Sequence, residues 1–300
     1  MVNTKIVLFV KVCFALQIVL NNGGIPDFCE IGDFKCTESQ IQKPKTTIAF
    51  LKTHKCASNS ISNILLRYAF KQNLTVVLPD HGHDMMTNGK KTTGFSKNLI
   101  EDTTWFKAGL RPQILALHSF WDNFTAVEEV MKMSGENPIL MTIFRDPVEV
   151  LISLWDYSNY ETRAEMTLDK FFGENRHLSS KLSNKFQVLK RPLFNDFGAP
   201  FITSDESIER KITEIDNKFH LVMIVEEFDA SMVLLKKVLN WNYEDLVSLK
   251  LNSRVSSKKS KISESTRTKI KMWLKDDYKL YNHFRAVLSI DLITCLCFEF

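Results

Sequence analysis

The sequence lacks the signatures of several protein classes. It has no internal repeat, which excludes solenoid architectures, and no Gly-x-x-x-x-Gly-Lys-Ser/Thr motif, which argues against a nucleotide triphosphatase or a P-loop kinase. The 6 cysteines and 7 histidines show no zinc-ligand spacing, so we predict no metal. The net charge is only +4, and the basic stretch that begins at Lys258 has no nucleic-acid-binding signature beside it. We therefore expect no nucleic-acid partner.

The apolar stretch at the N-terminus is also short. Residues 6–10 and 12–20 are separated by Lys11, and together they fall below the ~20 residues of a membrane-spanning helix. Lys11 is near enough to one end to snorkel towards the interface. The competing interpretation is a cleaved signal peptide, although residues 20–24 form a poor cleavage site.

The rest of the chain has enough apolar sequence for one large core. Its 300 residues are 44% hydrophobic, which suits a single α/β domain. Apolar β-rich runs predict strands, and helical periodicity predicts helices after most of them. The strands are expected near 46–51, 74–78, 113–118, 139–144 and 220–225, and the helices at 59–71, 122–133, 147–157, 207–218, 229–240 and 263–275. This alternation implies a mainly parallel sheet covered on both faces, whose ligands bind beyond the carboxyl ends of the strands.

The first of two candidate anion sites follows the strand at 46–51. The turn there holds two lysines, a histidine and several hydroxyl groups, and an amphipathic helix begins after it. The free N–H groups and the positive dipole end of this helix are expected to meet Ser58, Ser60 and Lys55 at one point. The segment therefore predicts a phosphate cradle. The alternative is an ordinary strand–helix turn with solvated lysines.

The second candidate anion site is an Arg-Asp-Pro turn after the fourth predicted strand. Asp146 is expected to cap the following helix in a capping box with Glu149, and Pro147 fits the first helical position. Arg145 and Ser153 would then grip a second phosphate, for which Arg supplies planar, permanently charged donors. The alternative is a salt-bridged cap without a ligand.

Two such sites, one for a 5′-phosphate end and one for a 3′-phosphate, are what binding of 3′-phosphoadenosine-5′-phosphosulfate requires. At these segments the chain resembles the sulfotransferases, and more narrowly the Golgi galactose-3-O-sulfotransferases. The resemblance rests on residues 50–55 with the hydroxyl-rich turn, and on 144–147 with Ser153. Further matching stretches lie at 73–76, 221–229, 231–235, 251–254 and 278–284, so the resemblance covers roughly residues 46 to 285.

The resemblance implies a P-loop-like parallel β-sheet flanked by helices, the sulfotransferase fold, in a single catalytic domain at 46–285. It implies 3′-phosphoadenosine-5′-phosphosulfate as the sulfate donor. The residues that it assigns to donor binding are Lys52, Thr53, Lys55, Cys56, Ala57, Ser58, Asn59, Ser60, Arg145, Ser153 and, in a late loop, Arg254. The chain departs from the family at Cys56, usually Thr, at Asn59, usually small, and at Asp146, often Asn. None of these departures removes the key lysine, arginine or serine.

The chemistry implied is in-line transfer of a sulfuryl group to an acceptor hydroxyl. Lys55 is expected to stabilise the leaving group, since preorganised donors of this kind usually contribute most to catalysis. A histidine should take the hydroxyl proton, because the ordinary pKa of histidine lies near the pH of the Golgi lumen, in which the resembled enzymes act. His54 is favoured on resemblance and His118, at the end of the third strand, is the alternative. His81 and His83 are weaker candidates, for acceptor contacts within the loop at 79–111.

The resemblance also favours a type II Golgi membrane protein with a luminal catalytic domain. Residues 1–20 would then be a signal-anchor and 21–45 a stem, in which Cys29 and Cys36 would be able to pair. Asn73 and Asn123 lie in glycosylation sequons, which fit a luminal domain. The apolar tail at 286–300 diverges from the family and is either a last buried strand or an aberrant end.

The expected activity is transfer of sulfate to the 3-hydroxyl of a β-galactosyl residue on a glycolipid, such as galactosylceramide, or on a glycoprotein. One alternative is a uronyl-type glycosaminoglycan sulfotransferase, and another is a non-catalytic luminal relative that binds glycan or nucleotide. The aromatic residues Trp105, Phe120 and Trp121 either stack on a sugar ring or belong to the core.

Overall fold

Four parallel strands form the centre of the part of the chain that the structure describes. The structure is a computed structural model that describes residues 43–80, 95, 97–119, 121–175, 187–199, 202, 204–247, 260 and 262–297. The strands are β1 (Ile48–Leu51), β2 (Ile114–Leu115), β3 (Ile139–Phe144) and β4 (Leu221–Ile224), in the order β2-β1-β3-β4. Every residue of β1 and β4 is buried, as expected for strands covered on both faces.

Helices surround the sheet. They are α1 (Ser58–Lys71), α2 (Lys97–Glu101), α3 (Thr104–Lys107), α4 (Phe124–Met131), α5 (Pro147–Tyr157), α6 (Tyr160–Ala164), α7 (Leu168–Gly173), α8 (Pro192–Asp196), α9 (Asp205–Lys218), α10 (Phe228–Leu239), α11 (Glu264–Trp273) and α12 (Lys275–Cys297). Short 3-10 turns occur at Lys132–Ser134, Gln187–Leu189, Val225–Glu227 and Tyr243–Leu246. Helices α10 and α12 pack against β4, α4 against β1 and α1 against β2.

The register of the sheet brings two strand ends together. Leu51, the last residue of β1, pairs with Thr142 of β3, and the Thr142 hydroxyl donates a hydrogen bond to the Leu51 carbonyl at 3.0 Å. The turns that follow β1 and β3 therefore lie side by side at the carboxyl end of the sheet. Helices α1 and α5 begin from these turns, so both predicted anion sites lie at this end.

Aromatic packing fixes two further helices beside the carboxyl end of the sheet. The ring of Phe144, at the end of β3, contacts Phe197 after α8 and Phe284 of α12, with centroid distances of 5.7 and 5.6 Å. All three side chains are buried. Full burial of such a side chain contributes about 1.5–3 kcal/mol. Helices α8 and α12 are consequently held against the carboxyl end of β3.

Most predicted elements are confirmed, and the α/β class with a parallel sheet is confirmed. The strand at 139–144 and the helix at 147–157 have the predicted bounds. The predicted strand at 74–78 is wrong, because it contributes only an isolated parallel bridge between Val76 and Ile114. The strand predicted at 113–118 contains only Ile114–Leu115, which lies at the edge of the sheet.

The C-terminal tail is helical. Helix α12 continues to Cys297 and buries Leu280, Tyr281, Phe284 and Leu288, which lie on one helical face. The prediction of a last buried strand in this tail is therefore wrong for the described residues. The loop expected at 79–111 contains the short helices α2 and α3, while residues 81–94 lie outside the described part.

The predicted signal-anchor, 1–20, and all but the last three residues of the predicted stem, 21–45, lie outside the described residues. Within the described ranges, no helix has the length and apolar character that crossing a bilayer requires.

Candidate active site

The turn after β1 has an unusual backbone. Lys55 and Ala57 both adopt left-handed conformations, with φ of 60° and 53°, which cost a non-glycine residue about 1–3 kcal/mol each. Helix α1 begins directly after Ala57, whose side chain has no atom that accepts a hydrogen bond from the first N–H groups. Left-handed residues before an uncapped helix give the concave array of backbone N–H groups that favours anion binding.

Buried side chains hold this turn in place. The hydroxyl of Thr53 donates to the carbonyl of Ile143, and the hydroxyl of Ser58 donates to the carbonyl of Thr53 at 2.7 Å. The thiol of Cys56 donates to the carbonyl of His54 at 3.3 Å, and burial raises the pKa of this thiol. Three side chains predicted to contact the donor thus stabilise the turn instead, and the backbone N–H of Thr53 is also used, since it donates to the carbonyl of Leu51 at 3.0 Å.

A buried carboxylate orients His54. The backbone N–H of His54 donates to Asp196 Oδ2 at 2.8 Å, and its Nδ1 lies 2.6 Å from Asp196 Oδ1. Because a carboxylate only accepts, Nδ1 carries the proton and Nε2 is left as the basic atom. The pKa of His54 is raised overall. The negative charge of Asp196 is the main cause, and it outweighs burial and the positive charges of Lys52 and Lys55, which lower the pKa.

Sequence reasoning missed Asp196. The residue ends the short helix α8 and is separated from His54 by 142 positions. No motif surrounds it, so a single sequence contains no signal that pairs the two residues. Its side chain is only 2% exposed, and a buried aspartate almost always has a partner, but this burial is visible only in the structure.

His118 lies against His54. The two rings stack with centroids 4.4 Å apart and an interplanar angle of 27°. Burial, assisted by the positive charges of His54 and Lys52, lowers the pKa of His118 to about 3. Its buried Nδ1 has no hydrogen-bond partner among the described residues. The environment thus separates the pKa values of the two histidines, a pattern typical of sites with divided acid–base roles.

Two lysines of the turn face these histidines. The positive charges of Lys52 and Lys55 lower the pKa of both His54 and His118, which is the effect expected of ammonium groups in the same small space. Lys52 is buried and Lys55 is half-buried. The Nζ atom of Lys55 lies 3.8 Å from the ring centroid of Tyr157, at the end of α5.

Arg145 connects the two predicted anion sites. It follows β3 directly, and its Nη1 donates to the carbonyl of Lys55 at 3.3 Å. Its Nη2 lies 3.3 Å from Glu149, and its side chain is 23% exposed. Glu149 also binds Arg267 of α11 at 2.8 Å. A partly exposed arginine side chain is therefore held beside the first turn.

The cap of α5 differs in part from the prediction. Asp146 caps the helix by accepting from the N–H groups of Val148 and Glu149 at 3.0 and 3.2 Å, and Pro147 is the first helical residue, so both predictions are confirmed. The predicted capping box is wrong. The N–H of Asp146 donates to Glu226 at 3.0 Å, because the Glu149 carboxylate pairs with two arginines instead.

Helix α12 braces this second turn. The hydroxyl of Tyr278 donates to Asp146 Oδ2 at 2.8 Å, and the hydroxyl of Tyr281 donates to Glu226 at 3.0 Å. Each tyrosine thus completes the hydrogen bonds of an acidic residue that shapes the Arg-Asp-Pro turn.

The same helix supports the short helix that carries Asp196. Asp277 accepts from the backbone N–H groups of Leu193 and Phe194 at 3.1 and 3.5 Å, and Asp276 pairs with Arg191 at 2.8 Å. Burial raises the pKa of Asp277 to about 8, against these hydrogen bonds and the charge of Arg191.

The remaining predicted site residues are spread more widely. Ser153 is half-buried on α5, and Asn59 and Ser60 lie on the first turn of α1. Asn73 and Asn123 are exposed, and Asn123 Oδ1 caps α4 by accepting from the N–H of Ala126 at 3.1 Å. Predictions for Arg254, His81, His83, Phe120, Cys29 and Cys36 fall outside the described residues.

The two described tryptophans considered for sugar stacking are held by the fold. Trp121 is buried and donates to the Ser119 hydroxyl at 2.8 Å, so it belongs to the core. Trp105 is half-buried and donates to the carbonyl of Leu78 at 2.9 Å.

Comparison with known proteins gives one consistent match. The sequence model of the galactose-3-O-sulfotransferase family matches residues 1–294, which includes most of the tail that was expected to diverge. The chain is 31% identical to galactose-3-O-sulfotransferase 2 of Mus musculus over 264 residues, which are 84% of this chain and 64% of that protein. It is 30% identical to the galactosylceramide sulfotransferase of Homo sapiens over 252 residues, 81% of this chain and 57% of that protein. It is 28% identical to galactose-3-O-sulfotransferase 3 of Bos taurus over 296 residues, which are 94% of this chain and 67% of that protein. The chain thus spans less than two thirds of the mouse and human relatives.

Proposed function

Because the chain belongs to the galactose-3-O-sulfotransferase family, we propose that it transfers a sulfuryl group to the 3-hydroxyl of a β-galactosyl residue on a glycolipid or glycoprotein. The proposed donor is 3′-phosphoadenosine-5′-phosphosulfate, and the proposed fold is that of the sulfotransferases. The observation that carries the proposal is the oriented base of His54 and Asp196 beside two lysines and an uncapped helix N-terminus.

The residues around the first turn fit the phosphosulfate end of such a donor. Lys52, Lys55 and the N–H groups at the start of α1 offer positive charge and hydrogen-bond donors in one place. Arg145 offers a partly exposed guanidinium at the neighbouring turn, which fits the 3′-phosphate, and Ser153 lies on α5, the helix that follows this turn. The donor supplies an activated sulfur and a phosphate leaving group.

We assign the base to His54. Its Nε2 takes the proton of the acceptor hydroxyl as the oxygen of that hydroxyl bonds to sulfur, and the carboxylate of Asp196 stabilises the resulting imidazolium. The bond between sulfur and the bridging oxygen breaks, and the electron pair stays on the 5′-phosphate oxygen, where Lys55 balances the new charge. His118, with a pKa of about 3, is too weak a base near neutral pH and supports the His54 ring by stacking.

The departure at Cys56 is compatible with activity. Its thiol is buried and donates to the carbonyl of His54, as a threonine hydroxyl at this position would be able to do. The substitution therefore leaves the turn, its N–H groups and its two lysines unobstructed.

We further propose the compartment and the domain layout. Residues 1–20 would anchor a type II protein in the Golgi membrane, residues 21–45 would form a stem, and residues 46–285 would act in the lumen on galactose-terminated acceptors. The exposure of Asn73 and Asn123 supports glycosylation at both positions, since a glycan on Nδ2 of Asn123 leaves the capping Oδ1 in place.

The test is sulfate transfer by the full chain from donor labelled in the sulfate. The acceptors are a lactose-type disaccharide, galactosylceramide and a desulfated glycosaminoglycan, and Lys55→Ala is the control, for which we expect strongly reduced but measurable transfer. Label on a galactoside that falls strongly in the control supports the proposal. Label on the glycosaminoglycan alone would assign a uronyl-type enzyme. Tight binding of adenosine 3′,5′-bisphosphate without transfer to any acceptor would indicate a binding protein.

A further inference from the structure

The ammonium group of Lys55 rests on an aromatic ring at the mouth of the site. Its Nζ lies 3.8 Å from the ring centroid of Tyr157, well inside the ~6 Å range of a cation–π interaction. Tyr157 is the last residue of α5, the helix that begins at the Arg-Asp-Pro turn. One helix thus connects the second anion site, at its start, to the lysine of the first, at its end.

Tyr157 contributes little to the core. It is 71% exposed, whereas the buried face of α5 consists of residues such as Val150, Leu151 and Leu154. An isolated exposed aromatic residue is common and needs no explanation by itself. The contact with Lys55 is the specific feature, because it joins an exposed ring to a side chain of the proposed catalytic machinery.

The backbone of Lys55 is held by the turn. The residue has a left-handed φ of 60°, and its carbonyl accepts from Arg145 at 3.3 Å. The four-carbon stem of a lysine is nevertheless flexible, so a fixed backbone does not fix the ammonium. The Tyr157 ring provides a contact at the far end of that stem.

An aromatic ring suits this task better than a carboxylate would. A carboxylate would neutralise Lys55 and occupy its N–H donors, whereas the ring attracts the ammonium through its quadrupole. The contact with the ring therefore neither neutralises the ammonium nor takes up an N–H donor, which suits a lysine that is to meet the oxygens of a phosphosulfate or phosphate ligand.

We propose that Tyr157 is a positioning residue that holds the Lys55 ammonium in the anion site through a cation–π contact. The proposal rests on the proposed function, in which Lys55 balances charge on the leaving phosphate. It identifies a determinant of catalysis that the motifs of the two turns do not contain.

The experiment compares Tyr157→Leu and Tyr157→Phe with a matched control in the full chain. Tyr243 is also exposed, at 68%, and has Lys236 over its ring at 4.6 Å, but it lies on the turn after α10, outside the proposed site. Tyr243→Leu therefore removes a similar contact elsewhere. We expect Tyr157→Leu to lower kcat roughly 3- to 30-fold, with a smaller change in donor KM, and Tyr157→Phe to recover most of the loss. Tyr243→Leu is expected to match the parent protein.

A double-mutant cycle tests whether the effect passes through Lys55. In a Lys55→Ala background, Tyr157→Leu is expected to cause no further loss of kcat. Equal losses in both backgrounds would overturn the proposal, as would a Tyr157→Leu variant within about twofold of the parent.

Binding of adenosine 3′,5′-bisphosphate separates this proposal from the proposed function. If the parent binds the bisphosphate but transfers no sulfate, the proposed function fails. Weaker binding by Tyr157→Leu than by Tyr157→Phe would then still support the positioning role, and equal binding would overturn it. A folded parent that neither binds nor transfers would overturn both.

Discussion

The carboxylate of Asp196 grips His54 by two hydrogen bonds, one from the backbone N–H at 2.8 Å and one from Nδ1 at 2.6 Å. The first bond fixes the turn and the second fixes the tautomer of the ring. Asp196 itself is placed by α8, whose first N–H groups are bound by Asp277 of α12. The base of the proposed reaction is therefore positioned by three separate segments of the chain.

Replacing His54 by Ala should lower kcat by about 10²–10⁴-fold, because that is the usual contribution of a general base. Asp196→Asn should also lower kcat strongly, since the amide presents a donor or a weaker acceptor to Nδ1 and Nε2 is no longer reliably unprotonated. His118→Ala should be less harmful than His54→Ala. Steady-state sulfate transfer measures all three, and a larger loss in His118→Ala would reassign the base.

The pH dependence of transfer should report the Asp196–His54 pair. The base is active when neutral, so kcat/KM should fall as the pH drops below the pKa of His54 in the free enzyme. The negative charge of Asp196 raises that pKa. Asp196→Asn should therefore move the acidic limb of the profile to lower pH, on a lower plateau. An unchanged limb would show that a different group limits the rate.

The turns were predictable from the sequence because their signals are local. Asp146 and Pro147 mark the start of α5, and apolar periodicity marks the helices on either side of both turns. The partners of the site residues were not predictable. Asp196 lies 142 positions from His54, and the contact of Lys55 with Tyr157 depends on the register of β1 against β3.

Competition between partners explains the error at Glu149. The sequence places this residue at the spacing of a capping box, but an acidic side chain between Arg145 and Arg267 gains more from two ion pairs. Glu226, from the turn after β4, takes the free N–H of Asp146 instead. Local patterns thus identified the helix start correctly and assigned one of its hydrogen bonds to the wrong residue.

The buried carboxyl of Asp277 should make stability depend on pH. Burial raises its pKa from 3.8 to about 8 in the folded protein, so the folded state holds this proton more tightly than the unfolded chain. The contribution is therefore fully present below the unfolded pKa and is lost as the pH rises towards about 8. Thermal unfolding should be measured at about pH 5 and at about pH 8, and the Tm of the parent should be lower at the higher pH. Asp277→Asn should have a flatter dependence, and an identical slope would exclude this carboxyl as the cause.

The thiol of Cys56 should be unreactive in the folded protein. It is buried and its pKa is raised by burial, so little thiolate forms and reagents have no access. Iodoacetamide at neutral pH should label the peptide containing Cys56 only after denaturation, as measured by mass spectrometry. Rapid labelling under native conditions would mean that the turn after β1 opens readily.

Glu149→Gln should tighten binding of adenosine 3′,5′-bisphosphate. In the present structure the Glu149 carboxylate lies 3.3 Å from Arg145 and is 30% exposed, so a phosphate that binds Arg145 meets a nearby negative charge. The amide keeps the shape and removes that charge, and we expect the Kd to fall roughly two- to fivefold, the scale of a partly exposed ion pair. The gain should shrink at high salt, because exposed charges are screened. Arg145→Ala is the matched variant, in which Glu149→Gln should have no such effect. Weaker binding by Glu149→Gln in the parent background would mean that the carboxylate orients Arg145 for the phosphate rather than competing with it.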